Sequence, residues 1–212
     1  RAQPSNQLWS PIGAASSRDN VPAPGTRNSS TIMSDFPLVS VIIPAYNADV
    51  DIRSTLNSAR SQTYAHLEII VVDDGSQDRT AQVVQSLAAR DPRITLLKQS
   101  NRGVAAARNV AIEVSSGRYI APLDADDLWH PQKIEKQVRC METASPSVGL
   151  VYTWWIKIDD SGKFVYASHR WEVEGNAYPD LLTLNFIGNA SVPLFHRAAV
   201  EQVGGYDEEL KA

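Results

Sequence analysis

From residue 38 onward, short unbroken apolar runs alternate with longer stretches in which apolar residues recur every three or four positions. Leu38-Val39-Ser40-Val41-Ile42-Ile43 is almost continuously apolar and closes at Pro44. Such a run predicts a strand covered on both faces, as in a parallel sheet. Ile52, Leu56 and Ala59 then repeat at the spacing of one helix face. A second strand is predicted over 67–72, running into Asp73-Asp74-Gly75-Ser76, and the next helix turns Ala81, Val84, Leu87 and Ala88 inward. Residues 94–97 predict a third strand, and 103–114 a third helix with Val104, Ala107, Ala111 and Val114 on one face. Residues 119–123 predict a fourth strand. Pro131, a residue favoured at the first helical position, opens a helix with Ile134, Val138 and Met141 inside.

Strand and helix alternating in this way imply an α/β fold, a right-handed and mostly parallel sheet with helices on both faces. Ligands of such sheets bind outside the carboxyl ends of the strands. Tyr46-Asn47, Asp73-Asp74 and the acidic run 124–127 all fall at those ends. The pattern changes after residue 147. Residues 148–158 and 164–167 predict strands around a turn at Asp159-Asp160-Ser161-Gly162. A short helix over 178–184 follows, then a strand over 192–195 and a helix over 198–203 stopped by Gly204-Gly205.

With 212 residues, 43% hydrophobic and 21% charged, the chain has room for one domain with a buried core. Residues 1–36 are set apart by Pro4, Pro11, Pro22, Pro24, Gly13 and Gly25 and by the absence of any periodicity. They are expected to be a disordered extension. Met33, just ahead of the first strand, is the expected natural start. The domain proper is then 37–212. A net charge of −4 without a basic block leaves no electrostatic footprint for nucleic acid. Cys140 is the single cysteine, so no internal disulfide forms, which fits a reducing compartment. No apolar run approaches the ~18 residues of a transmembrane helix.

The candidate chemistry centres on Leu123-Asp124-Ala125-Asp126-Asp127. Carboxylates this close repel one another unless a cation neutralises them. A hard divalent ion, Mg²⁺ or Mn²⁺, takes oxygen ligands and keeps positions open for phosphate. The plain alternative is an acidic turn. Acids at the ends of the second and fourth strands suit a nucleoside diphosphate. The Tyr46 ring can stack on a base, Asp74 can accept a pyrimidine N–H, and Asp124 can accept from ribose hydroxyls. Asp126 can hold a metal that bridges two phosphates. Against these stand a surface ring at Tyr46, a simple turn at Asp74-Gly75-Ser76, and a structural role for Asp127. No Gly-x-Gly-x-x-Gly follows the first strand, which argues against a dinucleotide.

The chain resembles the family-two glycosyltransferases of GT-A fold, a Rossmann-like three-layer sandwich. The matching blocks are Val39-Ser40-Val41-Ile42-Ile43-Pro44-Ala45-Tyr46-Asn47, Ser61-Gln62-Thr63, and Glu68-Ile69-Ile70-Val71-Val72-Asp73-Asp74-Gly75-Ser76. Asn101-Arg102-Gly103, Ala107-Arg108-Asn109, Gly117-Arg118-Tyr119-Ile120, the acidic block and Val203-Gly204-Gly205-Tyr206-Asp207-Glu208 continue the match. It covers residues 38–210, and its motifs are specific in their order and spacing.

The resemblance implies an inverting, metal-assisted transfer from a nucleotide sugar, most often a UDP-sugar, to a glycan or glycolipid of the cell envelope. Pro44, Ala45, Tyr46 and Asn47 would meet the base, and Asp73 and Asp74 its edge. Asp124-Ala125-Asp126 match the family's Asp-x-Asp motif, with Asp126 as metal ligand and Asp124 close to ribose, diphosphate and metal. Arg108 either meets a phosphate or pairs with Asp73 or Asp124. Trp154, Trp155 and Trp171 either line the acceptor side or pack a hairpin. The family's general base follows the Gly-Gly-Tyr-Asp-Glu block. It is expected beyond Ala212, with the domain truncated before it. The expected location is cytoplasmic, with peripheral association at the inner face of a membrane. Two other classes fit parts of the pattern: a receiver-type signalling domain, and a non-catalytic nucleotide-sugar or glycan-binding fragment.

Overall fold

The computed structural model describes residues 36–210. The predicted alternation is realised as β1 (Val39–Ala45), α1 (Ile52–Arg60), β2 (Leu67–Asp73), α2 (Thr80–Ala88), β3 (Ile94–Lys98), α3 (Val104–Val114), β4 (Tyr119–Pro122) and α4 (Lys133–Thr143). The remainder forms β5 (Leu150–Val151), β6 (Ile156–Ile158), β7 (Phe164–Ala167), α5 (Tyr178–Leu181), β8 (Leu194–His196) and α6 (Arg197–Val203).

The main sheet has the order β3-β2-β1-β4-β8-β5. β1 is parallel to β2 and β4, and β2 to β3, whereas β8 runs antiparallel to β4 and β5. Every residue of β1 is buried, which is why that run reads as continuous rather than alternating. Val39, Val41 and Ile43 point into one core with Ile52, Leu56, Val84, Leu87, Ile134 and Val138. Ile42 points the other way, with Ile70, Val72, Ile120, Ala107, Ala111 and Val200. The twofold repeat of the strand therefore separates two helix layers, α1, α2 and α4 on one face and α3 and α6 on the other. The chain order reverses at β1, whose neighbours are β2 and β4, and this reversal opens the crevice where such sheets hold ligands.

Several local expectations shift. In α3 the buried residues are Ala106, Ala107 and Ala111, while Val104 is half-buried and Val114 exposed. The alanine face lets the helix lie close to the sheet, and the valines sit at its rim. Pro131 stands in the turn before α4, which begins at Lys133, and its carbonyl accepts from Thr63 N at 2.8 Å. The strand predicted over 148–158 is broken. Leu150–Val151 joins the main sheet, and Ile156–Ile158 pairs with β7 as a separate ribbon. The turn at Asp159–Gly162 is as predicted, with Gly162 N donating to Asp159 O. The Met33 start and all of the predicted 1–36 extension but its last residue lie outside the described residues. Phe36 sets its ring edge-on to Tyr64 at 6.1 Å. No helix among the described residues is long and apolar enough to cross a membrane.

Candidate functional site

β1, β2 and β4 end on the same edge of the sheet, so their terminal residues meet. Ala45 lies beside Asp73 in the parallel register, and Leu123 N donates to Ile42 O. Beyond Ala45 the chain turns sharply. Asn47 has φ +48°, the one non-glycine residue in the left-handed region among those described. Its Oδ1 accepts from Gln77 N at 2.9 Å and its N donates to Ser76 Oγ at 3.0 Å. These bonds favour Asn in that conformation. They stitch the β1 turn to the β2 turn and leave the Tyr46 ring 50% exposed beside both. Pro44 and Ala45 are buried, and the Ala45 carbonyl accepts from Asp74 N.

The two aspartates after β2 are buried and engaged within the protein. Asp73 Oδ1 accepts from Ser76 N and shapes the turn. Asp74 Oδ1 accepts from Gln99 Nε2 at 2.7 Å and Arg102 N at 2.9 Å, and its Oδ2 from Gly103 N at 2.8 Å. One acceptor position on Oδ2 remains. Asp74 thus ties the end of β2 to the N-terminus of α3, where backbone N–H groups otherwise lack partners. Gly75 is required at this point: its φ is +79°, and a Cβ would lie 2.9 Å from Asn101 N.

The acidic turn after β4 is held from three sides. Thr55 Oγ1 in α1 donates to the Ala125 carbonyl at 2.8 Å, and Trp129 N donates to Ser58 Oγ. Ser191 Oγ accepts from Asp124 N at 2.9 Å and donates to Asp127 Oδ2 at 2.6 Å. Trp129 Nε1 in turn donates to the Ser191 carbonyl. Asp127 is accordingly a structural acid. Burial, and then the charges of Asp126 and Asp124, raise its pKa against the pull of Ser191. Asp126 is exposed and makes no hydrogen bond among the described residues. Asp124 pairs with Arg108, Nη2 to Oδ1 at 2.5 Å. Of the acids considered as partners of Arg108, the fold brings Asp124 to it. Its guanidinium also lies 5.1 Å from the centre of the Tyr206 ring.

The Gly-Gly-Tyr-Asp-Glu segment folds back onto α3. Asn109 donates to the Tyr206 carbonyl and Glu208 Oε1 and accepts from Tyr206 N, and Arg102 binds Glu208 Oε2. Glu208 is anchored through both oxygens. Burial raises the Tyr206 phenol pKa. Behind the acidic turn, Lys133 is 8% exposed, lies 4.3 Å from the Trp129 ring centre and donates to Gln137 Oε1. Burial brings its amine down to about 7.

Sequence reasoning missed Gln99, Ser191, Thr55 and Lys133. The first three act through partners 25, 67 and 70 positions away, so no local pattern announces them. Among the described residues no cluster of three or more His, Cys, Asp or Glu is arranged for a metal. Asp124 and Asp126 offer carboxylate oxygens from one turn. That donor set fits a hard divalent ion whose remaining ligands come from phosphate and water.

A mostly parallel sheet with this crossover and this acid-lined edge defines a GT-A glycosyltransferase fold. It aligns with a mannosyltransferase from Pyrobaculum calidifontis, solved with GDP-Man and Mn²⁺, at a TM-score of 0.63 and 26% identity. The alignment covers 82% of this chain and 48% of that one. The family model for glycosyl transferase family 2 matches residues 40–202, and the chain belongs to that family. The putative teichuronic acid biosynthesis glycosyltransferase TuaG of Bacillus subtilis is 38% identical over 161 residues, 74% of this chain and 61% of that protein. The Escherichia coli UDP-Glc:α-D-GlcNAc-diphosphoundecaprenol β-1,3-glucosyltransferase WfaP is 47% identical over 107 residues, 50% of this chain and 42% of that protein. The chain thus spans less than two thirds of these relatives. Family membership sets the receiver-type reading aside.

Proposed function

We propose that this chain carries the donor-binding part of an inverting glycosyltransferase, taking a sugar from a nucleoside diphosphate to a glycan or glycolipid acceptor. The observation that carries the reading is the convergence of Tyr46, Asp74, Asp124 and Asp126 on the carboxyl ends of β1, β2 and β4. The half-exposed Tyr46 ring stacks on the base, and the remaining acceptor position of Asp74 Oδ2 meets a base N–H. Asp124, oriented by Arg108 and by Ser191 through its backbone, faces the ribose and diphosphate. Asp126 and Asp124 would hold a divalent ion, Mn²⁺ or Mg²⁺. When bound, that ion supplies charge stabilisation to the departing diphosphate. UDP is the favoured nucleotide, in line with the donor named for the Escherichia coli relative. That relative's diphosphoundecaprenol acceptor also supports a lipid-linked glycan, which this chain would meet at the cytoplasmic face of a membrane.

Calorimetric titration of UDP and of GDP, each with and without Mn²⁺, tests the reading. One nucleotide should bind, and its affinity should depend on the metal. Asp126→Ala should weaken that metal-dependent binding by about 100-fold, the upper end of what perturbing a metal's surroundings costs. Unchanged binding in this variant would overturn the metal assignment, and absence of binding to both nucleotides would overturn the donor site.

A further inference from the structure

Between the β6–β7 ribbon and residues 185–188 lies a hollow of about 200 Å³ that the donor site does not use. Trp155, Tyr166, Ser168, His169, Trp171 and Phe186 line most of it. We propose that this hollow is a saccharide-binding pocket that seats a sugar of the acceptor; the acceptor role, though not the pocket itself, rests on the transferase reading above.

Its lining is aromatic and uncharged. Trp155 and Tyr166 stand 5.8 Å apart at 66°, and His169 and Trp171 4.8 Å apart at 45°. Among the described residues no Asp, Glu, Lys or Arg lines the hollow, which favours a neutral ligand. Tyr166 is 48% and Trp171 39% exposed, so both residues keep surface open to solvent. Flat rings with polar tips match the two sides of a sugar, the C–H face packing on the π surface and the hydroxyls meeting donors at the edge. Tyr166 Oη is such a donor and makes no hydrogen bond among the described residues. Ser168 Oγ accepts from Trp155 N, and its own hydrogen remains to be donated. The volume lies below the roughly 300–1,000 Å³ of pockets that enclose drug-sized ligands, which suits one or two sugar rings.

The hollow is built rather than incidental. Gly188 has φ +92°, and a Cβ there would lie 2.4 Å from Trp155 Nε1. The backbone therefore approaches the indole as only glycine permits. Asn185 fixes that approach, donating to Gly188 O and accepting from Gly188 N, both at 3.1 Å. On the other side the Tyr152 hydroxyl pairs with the Trp171 carbonyl and accepts from Val173 N. The pocket is also close to the donor turn. Gly188 is three residues from Ser191, a reach of at most about 10 Å, and Ser191 bonds Asp124 and Asp127 directly.

The test titrates the 212-residue chain with cellotriose, laminaritriose, chitotriose and mannotriose, read by tryptophan fluorescence and saturation-transfer NMR. At least one trisaccharide should bind. Tyr166→Ser and Trp171→Ala should each weaken that binding by about tenfold, the worth of one lost stacking contact. Tyr166→Phe, which keeps the ring, should retain most of it. Thermal melts check that each variant stays folded, and should Trp171→Ala fail that check, Tyr166→Ser decides. UDP binding in Mn²⁺ serves as the control and should be equal in all variants. The proposal is overturned if none of the four sugars binds, if folded variants bind them as the parent does, or if the variants lose UDP instead. Sugar binding that disappears with Tyr166→Ser in a chain that binds neither UDP nor GDP supports the pocket while refuting the donor site.

Discussion

All seven residues of β1 are buried, while all four of β7 are exposed. The two regions position chemistry by different means. On the sheet side, strands covered on both faces fix where the turns carrying Asp74 and Asp124 begin, and side chains such as Gln99, Thr55 and Ser191 finish the geometry on that frame. On the ribbon side, pairs such as Tyr152 with Trp171 and Asn185 with Gly188 do the positioning. The contrast separates a part framed by buried strands from a part framed by side-chain pairs.

The contrast can be broken most forcefully at Gly117. A Cβ there would meet Ser40 Oγ at 2.4 Å, Ser40 N at 2.6 Å and the Leu38 carbonyl at 2.8 Å. Gly117→Ala should cost about 3 kcal/mol or more, since backbone atoms cannot yield; a denaturant midpoint within error of the parent would show the sheet side to be softer than described. Asp91 comes next. It binds Arg93 and Arg60, and the Arg93 bond first among causes holds its carboxyl far below the usual range. Asp91→Asn should cost about 2 kcal/mol at neutral pH. The sign follows from the depressed folded value. The stabilisation is complete above the unfolded pKa of about 3.9 and is lost progressively as pH falls from there through the depressed folded value, so the gap between variant and parent should narrow in acid. Melts at pH 7 and pH 3 measure this.

Ser191→Ala sharpens the comparison at the joint between the two regions. It leaves Asp124 N and Asp127 Oδ2 without their partner and should cost about 1–2 kcal/mol. Metal-dependent UDP affinity should fall as well, read by calorimetry in a chain that still melts cooperatively. Smallest of all is Phe164→Ser on the ribbon. Phe164 is 59% exposed, and its loss should move stability by less than about 0.5 kcal/mol. A larger drop would mean that the ribbon carries packing of its own.

The sheet side was legible in the sequence because burial on both faces leaves a mark, the unbroken apolar run. Three of the four inner faces of its helices were readable from spacing. The fourth, in α3, was displaced because alanine carries too weak a signal to outweigh Val104 and Val114. The acids could be placed at the ligand edge by counting strands, but their partners could not be read. The Asp124 partner of Arg108 lies 16 positions away, beyond any local pattern. Asp74 looked available, yet a glutamine and two backbone N–H groups from beyond β3 occupy most of its carboxylate. The ribbon side was harder. A two-residue strand such as Leu150–Val151 has no period to detect, and a break between Val151 and Ile156 leaves no composition signal in so aromatic a stretch.

That two-residue strand has a consequence for the molecule among its neighbours. Leu150–Val151 forms one outer margin of the main sheet, and Ile94–Lys98 forms the other. A long flat margin is a template on which a second copy can add its own strand. One margin here offers too few peptide groups to hold a visitor, and the other ends on the exposed charge of Lys98. Among the described residues, then, neither margin offers the long uncharged edge on which a second copy could extend the sheet.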